Sequence, residues 1–309
     1  MTRFIGADQM AGTEAVVRVV DALAEVFADL AAGKTRSPSR TIVEHGPQRQ
    51  LLAGTATWER RGVGSVKITT LTPDNPERGL PLIHGVVVVT SLETGEITAL
   101  LDGAELTAVR TGAVAGLATR LCAPEDVSDL AIVGAGVQGR ALVRAVSAVR
   151  PIRSVRVFSR TRDRTERFAE WVRAEFGHEV RVCGTARDAV ADAQVVCTAT
   201  STSGPEPVVA AEWIAPGAHV NIIGGTDEEA VEVGPELLGS AFVLVEERAA
   251  AVEDAAEVRA AIASGSITAE DLRELGAVVT AGYTPDGRTT VFRGVGMAIE
   301  DTAAAAAFV

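Results

Sequence analysis

Three glycines in the run Leu130-Ala-Ile-Val-Gly-Ala-Gly-Val-Gln-Gly139 have the G-x-G-x-x-G spacing that suits a dinucleotide pyrophosphate. Gly134 permits a tight strand-to-helix turn, Gly136 lets backbone approach the phosphates, and Gly139 lets the helix pack on the strand. Val137 and Gln138 then fall in the first turn of a helix whose N–H groups and positive dipole end face an anion. The next strand, from Ser154, ends where an acid would hold the ribose 2′-hydroxyl of NAD. No acid stands there. Ser159, Arg160 and Thr161 offer hydroxyls and a guanidinium instead, which suit a 2′-phosphate through charge-assisted hydrogen bonds. The expected cofactor is therefore NADP, bound as NADPH. Arg162 and Arg164 fit the exposed face of the following helix equally well.

Elements that position such a loop are legible around it. Strands are expected at 129–133, 154–160, 180–183, 194–200, 219–223 and 241–245, with helical stretches between most of them. This alternation implies a Rossmann-type, doubly wound parallel sheet with right-handed crossovers. The fourth and fifth strands end in small or hydroxylated residues, Thr198, Thr200 and Ser201, then Gly224, Gly225 and Thr226, as expected where backbone comes close to a cofactor. The first third reads differently. Thr13 to Ala32 is an amphipathic helix with a stripe of Val16, Val19, Val20, Leu23, Val26, Phe27 and Leu30. Short strands at 40–44, 50–53, 63–70, 86–90 and 96–101 follow, separated by turn signals, in an antiparallel pattern, and Leu106 to Ala123 is a long helix. The fold class is thus α/β, a Rossmann domain with an α+β N-terminal domain.

Composition bounds the function. The chain has 309 residues, 47% hydrophobic and 23% charged, enough for about two domains with real cores. Its net charge of −12 argues against nucleic acid and anionic membranes, which need basic faces. Cys122, Cys183 and Cys197 have neither disulfide nor metal spacing and lie in apolar surroundings, so they read as reduced core residues, no metal is expected, and a cytoplasmic location follows. Residues 1–12 lack a signal-peptide pattern and no apolar run is long enough to span a bilayer.

A second set of motifs runs along the whole chain: Val66-Lys67, Pro73-x-Asn75, Gly79-Leu-Pro81, Glu93-Thr-Gly95, Leu101-Asp-Gly103, Leu106-Thr107, Arg110-Thr111-Gly-Ala113, Gly134-Ala-Gly-Val-Gln138 and Gly296-Met-Ala-Ile-Glu-Asp301. In this order they resemble the ornithine cyclodeaminase/mu-crystallin family. The resemblance implies a substrate-binding and dimerisation domain over residues 1–112, to which 290–309 return, and a dinucleotide domain over 113–289. It also implies a homodimer that acts on a small amino or imino acid. Such a substrate presents a carboxylate, best held by a bidentate arginine and another cation, and Arg40, Lys67 and Arg110 are the candidates. By resemblance Arg40 and Arg110 hold the carboxylate, while Lys67 contacts it or donates a proton at the reacting carbon's side. Arg36 competes with Arg40 for that place, an edge-strand role competes for Lys67, and an ion pair with Glu105 or Asp102 competes for Arg110. Thr111 is a candidate cofactor contact, as is Thr200.

One departure decides the expected chemistry. Deaminating members carry an acid in a Gly-x-Asp sequence after the fifth strand, and this chain has Gly224-Gly-Thr-Asp-Glu-Glu229. With Gly225 and Glu232 in step, Thr226 takes the acid's place and Asp227 comes one residue late. A neutral hydroxyl is no general base near neutral pH. The mu-crystallin branch is similar here and at Ser159-Arg-Thr161, which implies NADPH-dependent reduction of an imine. The alternatives are a cyclodeaminase-like ammonia-lyase or amino-acid dehydrogenase in which Asp227 serves as the acid, and a binding protein without catalysis. The substrate's side chain is not written in the sequence.

Overall fold

Hydrophobic period and turn chemistry divide the chain into two compact units, residues 1–110 with 296–309, and residues 111–295. The structure, a computed structural model, describes residues 2–46, 48–225 and 229–309.

The first unit is built on a seven-stranded sheet: β1 (Arg3–Ile5), β2 (Thr35–Arg36), β3 (Thr41–Glu44), β4 (Gln50–Trp58), β5 (Val63–Leu71), β6 (Ile83–Ser91) and β7 (Ile97–Asp102). The order is β1-β7-β6-β5-β4-β2, with β3 also on β4; β1 runs parallel to β7 and every other pair is antiparallel. Alternation along β4 to β7 sends Ala56, Trp58, Val87, Val89, Ala99 and Leu101 into the core. The helix Thr13–Ala31 buries the stripe expected of it, from Val16 to Phe27. The C-terminal helix Ala298–Ala306 packs on that helix and on β4, β5 and β6. Ser65 on β5 and Thr302 on the C-terminal helix exchange a hydrogen bond at 2.7 Å, which sets the register of that helix along β5.

The second unit is an eight-stranded sheet, parallel throughout: β8 (Asp129–Val133), β9 (Ser154–Phe158), β10 (Glu179–Val182), β11 (Val195–Thr198), β12 (His219–Ile222), β13 (Phe242–Val245), β14 (Arg273–Glu274) and β15 (Thr290–Arg293). Its order, β10-β9-β8-β11-β12-β15-β13-β14, reverses direction between β8 and β11, the place where doubly wound sheets bind ligands. One expectation is corrected here. Residues 290–293 do not return to the first unit; they form β15 between β12 and β13, and the return begins at Gly296. The reason is burial: all four residues of β15 lie in the core, and Arg293 finds Glu257 at 2.9 Å there. Among the described residues no helix is long and apolar enough to cross a membrane.

A polar cluster inside this unit makes its stability sensitive to acid. His219 on β12 is fully buried, its Nδ1 2.8 Å from Thr290 Oγ1 and its Nε2 3.2 Å from Asn221 Oδ1, while Asn221 Nδ2 donates to Thr119 Oγ1. Burial, the largest cause, pulls the imidazole down from 6.5 to about 4, opposed by the Asn221 bond. A folded pKa below the unfolded one means that the unfolded chain binds the proton first, so stability present above pH 6.5 is lost as pH falls towards 4. The loss from this group amounts to about 3 kcal/mol at 1.36 kcal/mol per unit. His219→Gln is expected to flatten the fall in unfolding free energy between pH 7 and pH 4 by about that amount, read by denaturant melts; a parallel fall in both proteins would contradict it.

Candidate active site

The glycine loop follows β8, and its geometry gives each glycine a separate reason. Gly134 has φ +117°, and a Cβ there would lie 2.3 Å from Ala199 O; one on Gly139 would lie 2.1 Å from Gly134 O. A Cβ on Gly136 meets nothing within 4 Å. Two glycines are thus demanded by the protein's own backbone, while the third leaves open space at the start of the helix Val137–Val149, which has no side-chain cap. Gln138 Oε1 and Thr200 Oγ1 beside this loop are buried polar atoms without a hydrogen-bond partner among the described residues. Buried groups of this kind normally have one. The open cradle, the uncapped helix start and the two orphaned oxygens fit a dinucleotide. Val137 is exposed, an apolar side chain at the mouth of the loop.

At the end of β9, Ser159 is half-buried and Arg160 and Thr161 are exposed, with Arg160 Nη2 3.2 Å from Ser201 Oγ. Arg162, by contrast, pairs with Glu166 at 2.8 Å on the helix Arg162–Phe176 and is a surface residue. Thr111 is buried in the helix Gly103–Cys122, whose Gly112 packs so closely on Ala141 that a Cβ would lie 2.6 Å from its carbonyl.

The loops after β11 and β12 are braced from beneath by a carboxylate that the motifs did not single out. Glu232, fully buried, accepts from Thr198 Oγ1 at 2.8 Å, Thr200 N at 2.5 Å and Gly224 N at 2.6 Å. Burial pushes its carboxyl up, against the bonds from Thr200 and Thr198. Behind it, Glu257 accepts from Glu232 N at 2.8 Å and from Arg293 Nε at 2.9 Å, and Arg293 holds Gly225 O at 3.0 Å and Gly294 O at 2.7 Å. Thr226 and Asp227, expected beside this network, lie outside the described residues.

In the first unit a pocket opens between β4, β5 and the C-terminal helix, lined by Arg40, Lys67, Arg110, Asp301, Leu52 and Thr69 among others. The three expected cations therefore meet. Lys67 sits on an inner strand, opposite Gly54 on β4 and Val87 on β6, so an edge-strand role does not apply. Its Nζ lies 2.9 Å from Asp301 Oδ1. Burial is the main cause that holds the Lys67 ammonium below the ordinary lysine range; Asp301 opposes it and Arg110 adds to it. Arg110 pairs with Glu300 at 2.9 Å and with Asp301 at 3.3 Å. Gly296, at φ +81°, makes room for this guanidinium, since a Cβ would stand 2.7 Å from Arg110 Nη1. Arg40 lines the pocket, whereas Arg36 is turned back on Gly33 O and Thr35 O, each at 2.8 Å. The acids Glu300 and Asp301 were part of a motif but not of the expected site. Their signal was two adjacent carboxylates opening an otherwise alanine-rich, apolar helix.

The family model for ornithine cyclodeaminase/mu-crystallin matches residues 4–309. The chain belongs to this family. It is 32% identical over 279 residues to the Delta(1)-pyrroline-2-carboxylate reductase of Bacillus cereus, an alignment that covers 88% of this chain and 85% of that one. It is 31% identical over 301 residues to the ketimine reductase mu-crystallin of Mus musculus, covering 96% and 92%. Among solved structures, the Delta(1)-pyrroline-2-carboxylate reductase of Thermococcus litoralis, in complex with NADH and L-proline, superposes with a TM-score of 0.91 at 28% identity, covering 99% of this chain and 96% of that one.

Proposed function

We propose that this family member is a nicotinamide-dinucleotide-dependent reductase of a small cyclic α-imino acid, with NADPH the preferred form. The observation that carries this reading is the pocket in which Arg40, Lys67 and Arg110 converge beside Asp301. Arg110 and Arg40 bind the substrate carboxylate, and Lys67, with its lowered proton affinity, gives a proton to the imine nitrogen. A bound dinucleotide supplies the hydride for the imine carbon, so the C=N bond becomes CH–NH and Lys67 regains its proton from water. Gly134, Gly136 and Gly139 with Val137 and Gln138 cradle the pyrophosphate, and Thr111 and Thr200 offer hydroxyls to the same cofactor. The pyrroline-carboxylate and ketimine reductases to which the chain is similar support the substrate class. Purified protein is expected to oxidise NADPH when given 1-pyrroline-2-carboxylate, and to reduce NADP only slowly when given open-chain amino acids; ammonia release from an amino acid without net reduction would refute the reading.

The Thermococcus relative holds NADH, so the phosphate preference rests on Ser159, Arg160 and Thr161 of this chain. One or two charge-assisted bonds to a 2′-phosphate predict about tenfold or more tighter binding of NADPH than NADH. Arg160→Asp reverses the order; equal affinities in the unaltered protein, measured by fluorescence titration, would count against it.

The chain also acts as a homodimer in this proposal. The face of the first unit's sheet turned away from Lys67 exposes Val43, Leu51 and Ile68, with Val66, Val86, Val88 and Leu100 only half-buried beside them. A contiguous apolar face of this kind marks a protein contact. Ile68→Asp is expected to yield monomers in analytical ultracentrifugation where the unaltered protein sediments as a dimer, and an unchanged dimer would place the contact elsewhere.

A further inference from the structure

Two neighbouring acids pair with Lys67 and Arg110, and the two are not held alike. Asp301 is buried, and its Oδ1 accepts from Lys67 Nζ at 2.9 Å and forms an ion pair with Arg110 Nε at 3.3 Å. Glu300 is fully buried; Oε2 takes Arg110 Nη1 at 2.9 Å and Oε1 takes the backbone N–H of Met297 at 3.0 Å, closing the start of its own helix. Glu300 therefore cannot swing towards Lys67 without uncapping the helix. The Ser65–Thr302 bond ties that same helix to β5 two residues from Lys67, on the face that Lys67 shares.

We propose that Asp301 and Glu300 are positioning residues with separate tasks: Asp301 is the counter-charge that keeps Lys67 protonated and aimed into the pocket, and Glu300 orients Arg110 for the substrate carboxylate. This rests on Lys67 as proton donor. The charged groups that face Lys67 are Asp301 and Glu300 from the C-terminal helix and Arg110 from the helix Gly103–Cys122, with Arg40 lining the same pocket. The neighbours across β4 and β6, Gly54 and Val87, bring no charge. Burial and Arg110 favour the neutral amine, and the Asp301 carboxylate is the main influence in the opposite direction. A donor must be protonated before it gives, so turnover in the reductive direction falls as pH rises through the pKa of Lys67. Removing the Asp301 charge starts that fall at lower pH.

The test is kcat and KM against pH for the holoenzyme and for variants at Asp301, Glu300 and Lys67, with amine acylation of the Lys67 peptide followed by mass spectrometry as a readout that needs no turnover. Asp301→Asn moves the alkaline limb, and the pH at which Lys67 becomes acylable, down by about one to three units, the range for loss of one close counter-charge. Glu300→Gln moves the limb down less than Asp301→Asn does, since Glu300 bonds Arg110 and Met297 N and acts on Lys67 only at longer range, and it raises KM for the imino acid about tenfold or more. Asp301→Glu restores the limb towards the original, and Asp301→Ser replaces Asp301→Asn if the latter does not fold. A limb and an acylation profile unmoved by loss of the Asp301 charge overturn the proposal, while Lys67→Arg still moving the limb leaves Lys67 in its role. Unaltered turnover in Lys67→Ala removes the donor assignment itself, and the two failures are thereby told apart.

Discussion

Lys67→Ala lowers kcat for imine reduction by about two to four orders of magnitude, the usual worth of a positioned general acid. The fold survives the change, because Asp301 keeps Arg110 at 3.3 Å and the helix that carries it is anchored separately through Thr302. NADPH affinity also survives, since Gly134 to Gly139 belong to the other unit's sheet. The neighbours of Lys67 across the strands are Gly54 and Val87. Steady-state kinetics with 1-pyrroline-2-carboxylate, a thermal melt and a fluorescence titration of NADPH together check the result. Turnover near that of the unaltered protein would mean that the proton comes from elsewhere.

Gly136→Val is expected to weaken dinucleotide binding about a hundredfold or more while the apo protein keeps its stability to within about 1 kcal/mol. Gly136 is extended, not left-handed, and an added Cβ meets nothing within 4 Å, so the protein's own packing does not object to a side chain there. The objection comes from the cofactor, whose pyrophosphate needs that space to reach the N–H groups of the helix; each charge-assisted bond lost costs about 1.5–3 kcal/mol. Gly139→Ala is the control with opposite logic, because its Cβ would stand 2.1 Å from Gly134 O and the apo protein itself must yield. A Gly136→Val protein that binds NADPH normally, by fluorescence titration or calorimetry, would show that the pyrophosphate lies elsewhere.

What the sequence made legible was local. β8, the glycine loop and its helix follow one another within some twenty residues, so period, turn chemistry and glycine spacing report on one another directly. The strand that escaped, β15, shows the limit. Thr290-Val-Phe-Arg293 is short, ends in an arginine and has its partners β12 and β13 far away in sequence; only the sheet's order reveals that the arginine is buried against Glu257. Lys67, Arg40 and Arg110 were named by family resemblance and by the needs of a carboxylate, but their convergence depends on the C-terminal helix returning to β5. Glu300, Asp301 and Glu232 went unassigned for a related reason. A carboxylate in an apolar stretch signals a buried partner, and the identity of that partner is a matter of long-range packing that no local pattern encodes.

The most direct test of the account supplies NADPH deuterated at the transferable C4 position, together with 1-pyrroline-2-carboxylate, and weighs the product. The account predicts proline carrying one deuterium at Cα, formed in equal number to the NADPH consumed, and its loss in the Lys67→Ala protein. NADPH that binds but is not consumed, or product without deuterium at Cα, would contradict it.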